Sequence, residues 1–439
     1  MEILTQVNQL EPSSARSVKV KRFGINLYYL VMLSVFASTL DYRFYIGTTT
    51  SPVEIVAWVT LTLHIIYLFQ QKKYFSSSLP ISFLENKALL FYVGWIILAV
   101  IFSIIIRDAY TTFWLFRNLL PGFITYYLVV YYVTDENKIE DFIKVYLSGS
   151  FLHLLLGLSQ GLTGGPQLVD ENWAVSEKLD ASGETVSGNV VRGLFNHPNG
   201  FAGFFMTVTI LLVAVIALNL CKNKVWLYLA ILFTPILVFD LGRTYAKGSF
   251  FWIFVGIAFL FLPKILDKWR HYLGIFLIGA GIAGIVLYSL NSYKSSGGAL
   301  GTIETRLELT QAALTATQED LFILIFGDGQ RTVRALSLFF SHIEYPNAHN
   351  GIVNLIVFYG LPALIFYLWA SINILRKLAH TIKLSEGFIR GVSLFLFSSI
   401  VASLGNYYFE PHTESPWQTQ FFLLLALSVS VTYPKLKRS

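Results

Sequence analysis

The chain has 439 residues, of which 55% are hydrophobic and only 13% charged, and its mean hydropathy is +0.60. This composition leaves too little polar surface to cover a soluble globule of that length, which excludes the soluble classes of protein. The net charge of +6 is attributed to membrane insertion and to attraction to anionic lipid, so no nucleic-acid partner is expected. The single cysteine, Cys221, allows no intrachain disulfide.

Apolar runs long enough to cross a bilayer recur along the chain. A helix crossing about 30 Å of hydrocarbon needs about 20 apolar residues, whereas a membrane β-barrel alternates in short strands and is excluded. A basic entry to the first run indicates an uncleaved signal anchor. We predict an all-α polytopic membrane protein of about twelve helices, with spans at 24–40, 52–69, 88–106, 119–133, 141–159, 200–220, 225–241, 249–263, 272–290, 350–373, 391–405 and 417–433.

Basic residues predict the orientation of these spans, because lysine and arginine accumulate on the cytoplasmic side. With the N-terminus inside, 15 of the 18 lysines fall in the cytoplasm, whereas 8 of the 14 arginines fall outside. The expected organisation is a cytoplasmic tail over 1–23, one transmembrane domain over 24–433 and a cytoplasmic tail over 434–439. The outer face therefore keeps arginine and little lysine.

Two outer loops, 160–199 and 291–349, are long enough to hold structure. The first ends in a tight polar stretch that leads directly into a span, Val191 to Gly200. The second contains an expected amphipathic helix over 302–318, which precedes the tenth predicted span. A loop with its own helix forms a lid or a wall, so both loops are candidate walls of a site.

Three outer arginines are candidate ligands for an anionic group, because a planar guanidinium matches phosphate oxygens at two points. Arg192 lies just before a helix N-terminus, which also favours an anion. Arg243 follows Asp240 at i, i+3, so an internal ion pair is its alternative role. Arg306 lies beside Glu304 and Glu308, and a structural ion pair is its alternative. For each arginine, contact with lipid headgroups is a further alternative.

His349 is the candidate for proton chemistry. It closes the loop that carries Arg306 and begins the next predicted helix, where a near-neutral pKa is available to an imidazole. A polar anchor at the membrane boundary is the alternative role. His197, in Asn196-His197-Pro198-Asn199, is the second choice for the same chemistry.

Four motifs in this order resemble the O-antigen ligase and O-antigen polymerase superfamily. They are Arg-Gly-x-Phe-x-x-Pro-Asn at 192–199, Gly-Arg at 242–243, Glu-x-Arg-Leu-Glu-Leu at 304–309 with Phe-Gly-x-Gly at 326–329, and Ala-His-Asn at 348–350 with Gly-Leu at 360–361. The similarity covers about residues 190–370 in motif detail. It implies a GT-C-like membrane fold with a long helical extracytoplasmic loop before helix 10.

The resemblance implies a bacterial inner-membrane glycosyltransferase with its active site at the outer face. Such an enzyme transfers a glycan from undecaprenyl diphosphate to an acceptor hydroxyl on a lipid A core, a growing glycan or a protein, with no metal and no cofactor. Arg192 and Arg243 would hold the diphosphate, and His349 would activate or orient the acceptor. The residues assigned to substrate binding are Arg306, His197, Asn199, Asn350 and Glu308.

Two alternatives remain open at this point. A polymerase that joins repeat units would share the donor site and differ only in its acceptor. A polysaccharide or lipid-linked glycan transporter would carry out no covalent chemistry. The sequence contains no P-loop, no Gly-x-Ser-x-Gly elbow and no Asp-x-Asp pair of the kind that holds a metal for nucleotide sugars.

Overall fold

The computed structural model describes most of the membrane segments and parts of the loops. The described residues are 26–40, 44–46, 48–70, 86–106, 109–163, 191–195, 198–244, 246–265, 320–328, 350–409 and 415–432, with seven positions between 310 and 318. The predicted span at 272–290 lies outside them.

The described part is almost entirely helical. One short antiparallel hairpin, β1 (Phe44–Ile46) and β2 (Thr48–Thr50), pairs Phe44 with Thr50. The helices are α1 (Asn26–Ala37), α2 (Pro52–Gln70), α3 (Lys87–Ile106), α4 (Ala109–Tyr132), α5 (Glu136–Thr163), α6 (Pro198–Leu218), α7 (Lys224–Gly242), α8 (Lys247–Ile265), α9 (Leu321–Phe326), α10 (Gly351–Tyr359), α11 (Leu361–Leu384), α12 (Gly387–Phe409) and α13 (Ser415–Thr432). The seven positions described between 310 and 318 are also helical, as the amphipathic pattern predicts.

The helices are those of a multi-pass membrane protein, as the sequence predicts. Six of the described helices are both long and apolar enough to cross a bilayer, and five shorter apolar helices accompany them. Helix α7 presents an apolar exposed face suited to lipid, formed by Val225, Tyr228, Ile231, Leu232 and Val238. Eleven of the predicted spans overlap described helices, while the total of about twelve stays a prediction.

The bundle is organised around α6, whose apolar window is 72% buried. Helices α7, α8 and α12 pack against it, and α12 also packs against α8 and α11. Helix α4 packs along α13, and α3 packs along α11. The segment that leads into α6 is therefore attached to a largely buried helix that packs against three others.

The prediction of a single helix over 350–373 is wrong, because the helix is interrupted at Gly360, between α10 and α11. Gly360 has φ +86° and ψ 163°, a conformation that is essentially confined to glycine. A Cβ at this position would overlap the backbone carbonyl of Ile325 in α9. The indole N–H of Trp95 in α3 donates a hydrogen bond to the Tyr359 carbonyl at 3.0 Å. This bond satisfies a carbonyl group at a helix end, where the regular helical partner is missing.

Polar contacts join helix ends that the alternating topology assigns to the same side. At one end, Glu54 of α2 and Arg117 of α4 form a two-point ion pair with N–O distances of 2.6 and 3.0 Å. At the other, the backbone N–H of Lys222 donates to Glu140 at 3.1 Å. The Glu54–Arg117 pair joins α2 to α4. The membrane side that each end faces stays a prediction.

Cys221 is buried between the end of α6 and the start of α7, and its titration gives a testable prediction. Burial, together with the negative charge of Glu140, raises the pKa of its thiol to about 11. Because the thiolate is the reactive form, we expect alkylation by iodoacetamide to be slow at pH 8 and to accelerate about tenfold per pH unit toward pH 11. Mass spectrometry of the intact chain measures this rate at a unique thiol. A rate in the folded protein that levels off near pH 9, as in denatured controls, would contradict the prediction.

Candidate functional site

The segment 191–195, which precedes α6 and contains Arg192, is held by one side chain of α5. Gln160 accepts the backbone N–H groups of Arg192 at 3.2 Å and Gly193 at 2.8 Å on the same amide oxygen. Its Nε2 donates to the Gly193 carbonyl at 2.9 Å. Gln160 is itself buried. Three hydrogen bonds from one enclosed amide therefore fix the backbone that carries Arg192.

His153 of α5 holds the next residue of this segment. The backbone N–H of Leu194 donates to Nε2 of His153 at 2.6 Å, and Nδ1 lies 3.2 Å from the carbonyl oxygen of Thr39. A carbonyl oxygen only accepts, so Nδ1 carries the proton and the imidazole is neutral. The ring is also stacked on Phe195, with a centroid separation of 5.1 Å. His153 thus ties the segment to both α5 and the end of α1.

Replacing His153 by phenylalanine tests this tie, because it keeps a ring and removes both hydrogen bonds. Each buried backbone group left without a partner costs about 1–3 kcal/mol, so we expect a clear fall in thermal stability and faster proteolysis near 191–195. Differential scanning fluorimetry and limited proteolysis in detergent measure these effects. His380→Phe, at an exposed position of α11, is the matched control. Equal stability of the two variants would show that the hydrogen bonds of His153 contribute nothing measurable.

Two glycines one helical turn apart let α5 approach α7 and the 191–195 segment closely. A Cβ on Gly157 would lie 2.6 Å from Oδ2 of Asp240 and 3.0 Å from Cγ1 of Val191. A Cβ on Gly161 would lie 2.6 Å from the Phe239 ring and 3.1 Å from Cγ2 of Val191. Small residues spaced by four are typical of close helix packing in membranes. Val191 therefore fits between α5 and the end of α7.

Arg243 caps the C-terminal end of α7 and is linked to the segment that carries Arg192. The backbone N–H of Val191 donates to the Arg243 carbonyl at 3.3 Å. The guanidinium carbon of Arg243 lies 5.6 Å from the centroid of the Phe239 ring. The alternative internal pair with Asp240 is absent among the described ion pairs, since neither Asp240 oxygen has a hydrogen-bond partner in the described part of the chain. The two arginines predicted to act together are thus brought to one place by backbone contact.

Arg192 is only 7% exposed. Burial lowers the pKa of its guanidinium from the ordinary value, but arginine remains cationic in proteins. A cation this enclosed needs a compensating group, so the lipid-headgroup alternative fits Arg192 less well than a specific contact does. Arg243 is half-buried, which leaves part of its side chain accessible.

The other predicted site residues divide into two groups. Asn199 is the second residue of α6 and is half-buried, close in the chain to Arg192. Asn350 caps α10, since its side-chain oxygen accepts the backbone N–H groups of Ile352 and Val353 at 3.1 and 3.3 Å. Its oxygen is therefore engaged in holding the helix that follows His349. The residues that lie outside the described part are His349, His197, Arg306 and Glu308.

A separate cavity lies on the other side of α6. It is lined mainly by aromatic side chains of α3, α11, α12 and α13. Helix α6 contributes Gly203 and Met206 to this cavity, whereas Phe201 and Phe205 face His153 on its opposite side. The cavity and the arginine pair are therefore divided by a helix.

Sequence reasoning missed the residues that hold the arginine-bearing backbone, namely His153, Gln160 and Gly157. All three lie within or at the edge of apolar runs, where the span pattern carries no information about neighbours. The available signal was the Gly157-x-x-x-Gly161 spacing, together with a histidine and a glutamine on the same stripe of α5. Polar residues on the small-residue face of a span indicate contact with protein and not with lipid.

Comparison with known proteins finds no protein-family model that matches the chain and no curated protein that matches its sequence.

Proposed function

We propose that the chain is a membrane glycosyltransferase of the O-antigen ligase type. It would transfer a glycan from undecaprenyl diphosphate to an acceptor hydroxyl at the outer face of a bacterial inner membrane. The observation that carries the proposal is the hydrogen bond from Val191 to Arg243, which brings Arg192 and Arg243 together. These are the two residues that the resemblance assigns to the donor diphosphate.

The proposed transfer requires positively charged side chains that are held in fixed positions beside the diphosphate leaving group. In a direct displacement, the acceptor oxygen bonds to the anomeric carbon as the bond from that carbon to the diphosphate breaks. Negative charge then grows on the diphosphate, and preorganised donors stabilise it without reorganising. Arg192 is held by the Gln160 hydrogen bonds, and Arg243 is anchored at the end of α7. Helix α6 begins at Pro198, so its positive N-terminal end also lies close in the chain to Arg192.

The acceptor side of the proposal rests on His349. In this scheme His349 accepts or orients the proton of the acceptor hydroxyl, as the resemblance implies. It immediately precedes Asn350, whose capping bonds fix the start of α10. The acceptor is a lipid A core, a growing glycan or a protein hydroxyl, and a repeat-unit polymerase is the closest alternative activity.

The decisive experiment compares a deletion strain with strains complemented by the wild type or by His349→Ala. Surface glycan is profiled on gels, and undecaprenyl-linked intermediates are extracted and sized. A ligase deletion leaves long glycan on the lipid carrier, whereas a polymerase deletion leaves single repeats. Restoration of the normal profile by His349→Ala would remove His349 from the mechanism. A deletion that changes neither profile would overturn the proposal.

Two observations favour a transporter as the second candidate. The helix is interrupted at Gly360 inside an apolar run, and the acidic residue Asp240 of α7 is buried. Broken helices and buried acids are typical of transporters. A transporter would move lipid-linked glycan across vesicles without forming a new glycosidic bond, and it would tolerate the loss of His349. Product analysis by mass spectrometry in proteoliposomes separates the two functions.

A further inference from the structure

A buried carboxyl group adjoins the arginine pair and has no role in the proposed transfer. Asp240 lies in the last turn of α7 and is 0% exposed. Both of its oxygens lack a hydrogen-bond partner among the residues that the structure describes. It faces α5 at Gly157, where a Cβ would lie 2.6 Å from Oδ2. An ionised carboxylate in such surroundings is costly unless positive charge compensates it.

Asp240 lies close to the backbone that carries both arginines. Val191 packs beside the carboxyl group, since a Cβ on Gly157 would lie 2.6 Å from Oδ2 of Asp240 and 3.0 Å from Cγ1 of Val191. The same Val191 is bonded through its N–H to Arg243. Asp240 therefore lies in the same turn as Arg243 and packs beside Val191, the chain neighbour of Arg192, without a hydrogen bond to either guanidinium.

The remaining described elements around Asp240 add no charge. Helix α5 contributes His153, one turn before Gly157, whose hydrogen-bond partners fix it in the neutral form. Helix α6 packs on α7 and contains no ionisable residue between 198 and 218. Within the described part of the chain, a negative Asp240 would therefore have no hydrogen-bonded partner to compensate its charge. An anion that binds beside Arg192 and Arg243 would be repelled by a negative Asp240.

We infer that binding of a lipid diphosphate at the arginine pair is coupled to the uptake of one proton by Asp240. The inference rests on the proposed donor site. A diphosphate diester carries two negative charges, and a carboxylate beside it would be repelled across an interior that screens charge poorly. Taking a proton from solvent onto a carboxylate oxygen removes that repulsion, and no bond of the diphosphate changes. Loss of the proton would in turn favour release of the spent carrier.

The test measures binding of a farnesyl diphosphoryl glucose probe to the full-length protein in nanodiscs between pH 5.5 and 9. This probe keeps two negative charges across the range, so its own ionisation does not contribute. We expect the wild-type affinity to fall by up to about tenfold per pH unit over the upper part of the range. Asp240→Asn should bind with an affinity that is independent of pH and higher than wild type at pH 9.

Isothermal titration calorimetry of the wild type in two buffers of different ionisation enthalpy counts the protons directly and needs no variant. Uptake of about one proton per probe supports the inference. Binding that depends on Arg192 but takes up no proton would overturn the inference and leave the donor site standing. No binding of the probe at any pH would overturn the donor site, and the inference with it.

Discussion

Replacing Arg243 by glutamine is expected to slow glycan transfer by about 100- to 1000-fold, the usual loss when one preorganised donor to a developing anion is removed. Glutamine keeps a polar side chain but removes the positive charge and the planar fork. Arg243 lies at the end of α7 with its guanidinium beside the Phe239 ring, so the bundle itself should tolerate the change. Single-turnover transfer in proteoliposomes with a polyprenyl-diphosphate glycan donor measures the effect.

Two further variants make this experiment specific. Arg243→Lys keeps the charge and loses the two-point geometry, so its rate should fall between wild type and Arg243→Gln. Arg390→Gln changes an exposed arginine in the first turn of α12, on the side predicted to be cytoplasmic, and should transfer at the wild-type rate. If Arg243→Gln and Arg390→Gln transfer equally fast, the diphosphate is not held at the end of α7.

Replacing Gly360 by alanine is expected to destabilise the protein by about 3–5 kcal/mol, enough to lose much of the folded population. The backbone there has φ +86° and ψ 163°, which an L side chain adopts only with strain. The added Cβ also meets the Ile325 carbonyl and the Phe326 nitrogen, which are backbone atoms and cannot rotate away. Size-exclusion profiles and thermal unfolding in detergent report the fraction of folded protein.

Gly387 provides the matched control for Gly360. It also has a positive φ, +56°, but a Cβ there would have nothing within 4 Å. Gly387→Ala should therefore carry only the conformational cost of about 1–2 kcal/mol. A loss in Gly387→Ala as large as in Gly360→Ala would show that contact with α9 is unimportant.

The features that could be predicted from the sequence are those that depend on whether a segment is surrounded by lipid or by water. Eleven of the predicted spans overlap described helices, because a helix in lipid must satisfy its own backbone and present apolar side chains. Sidedness placed Arg192 and Arg243 at the same end of the bundle, and their backbone contact confirms that these two residues lie together. Both features follow from local composition.

The features that could not be predicted depend on how helices rotate against one another. The clamp by Gln160 and His153 requires one stripe of α5 to face the segment before α6, and a continuous apolar run does not specify which stripe faces inward. The interruption at Gly360 could not be predicted because the sequences of α10 and α11 together form one continuous hydrophobic run. Likewise, Arg117 could not be matched with Glu54 without knowing that α4 lies beside α2.

The interrupted helix also bears on how the chain enters the membrane. With nine residues, α10 extends about 14 Å, less than half the hydrocarbon thickness. The insertion machinery meets α10 and α11 as one uninterrupted hydrophobic stretch, yet neither the indole of Trp95 nor the carbonyl of Ile325 comes from later in the chain. A nascent chain that ends after α11 already contains Trp95 and Ile325, the residues that contact the interruption. The interruption at Gly360 can therefore form cotranslationally, before α12 and α13 are made.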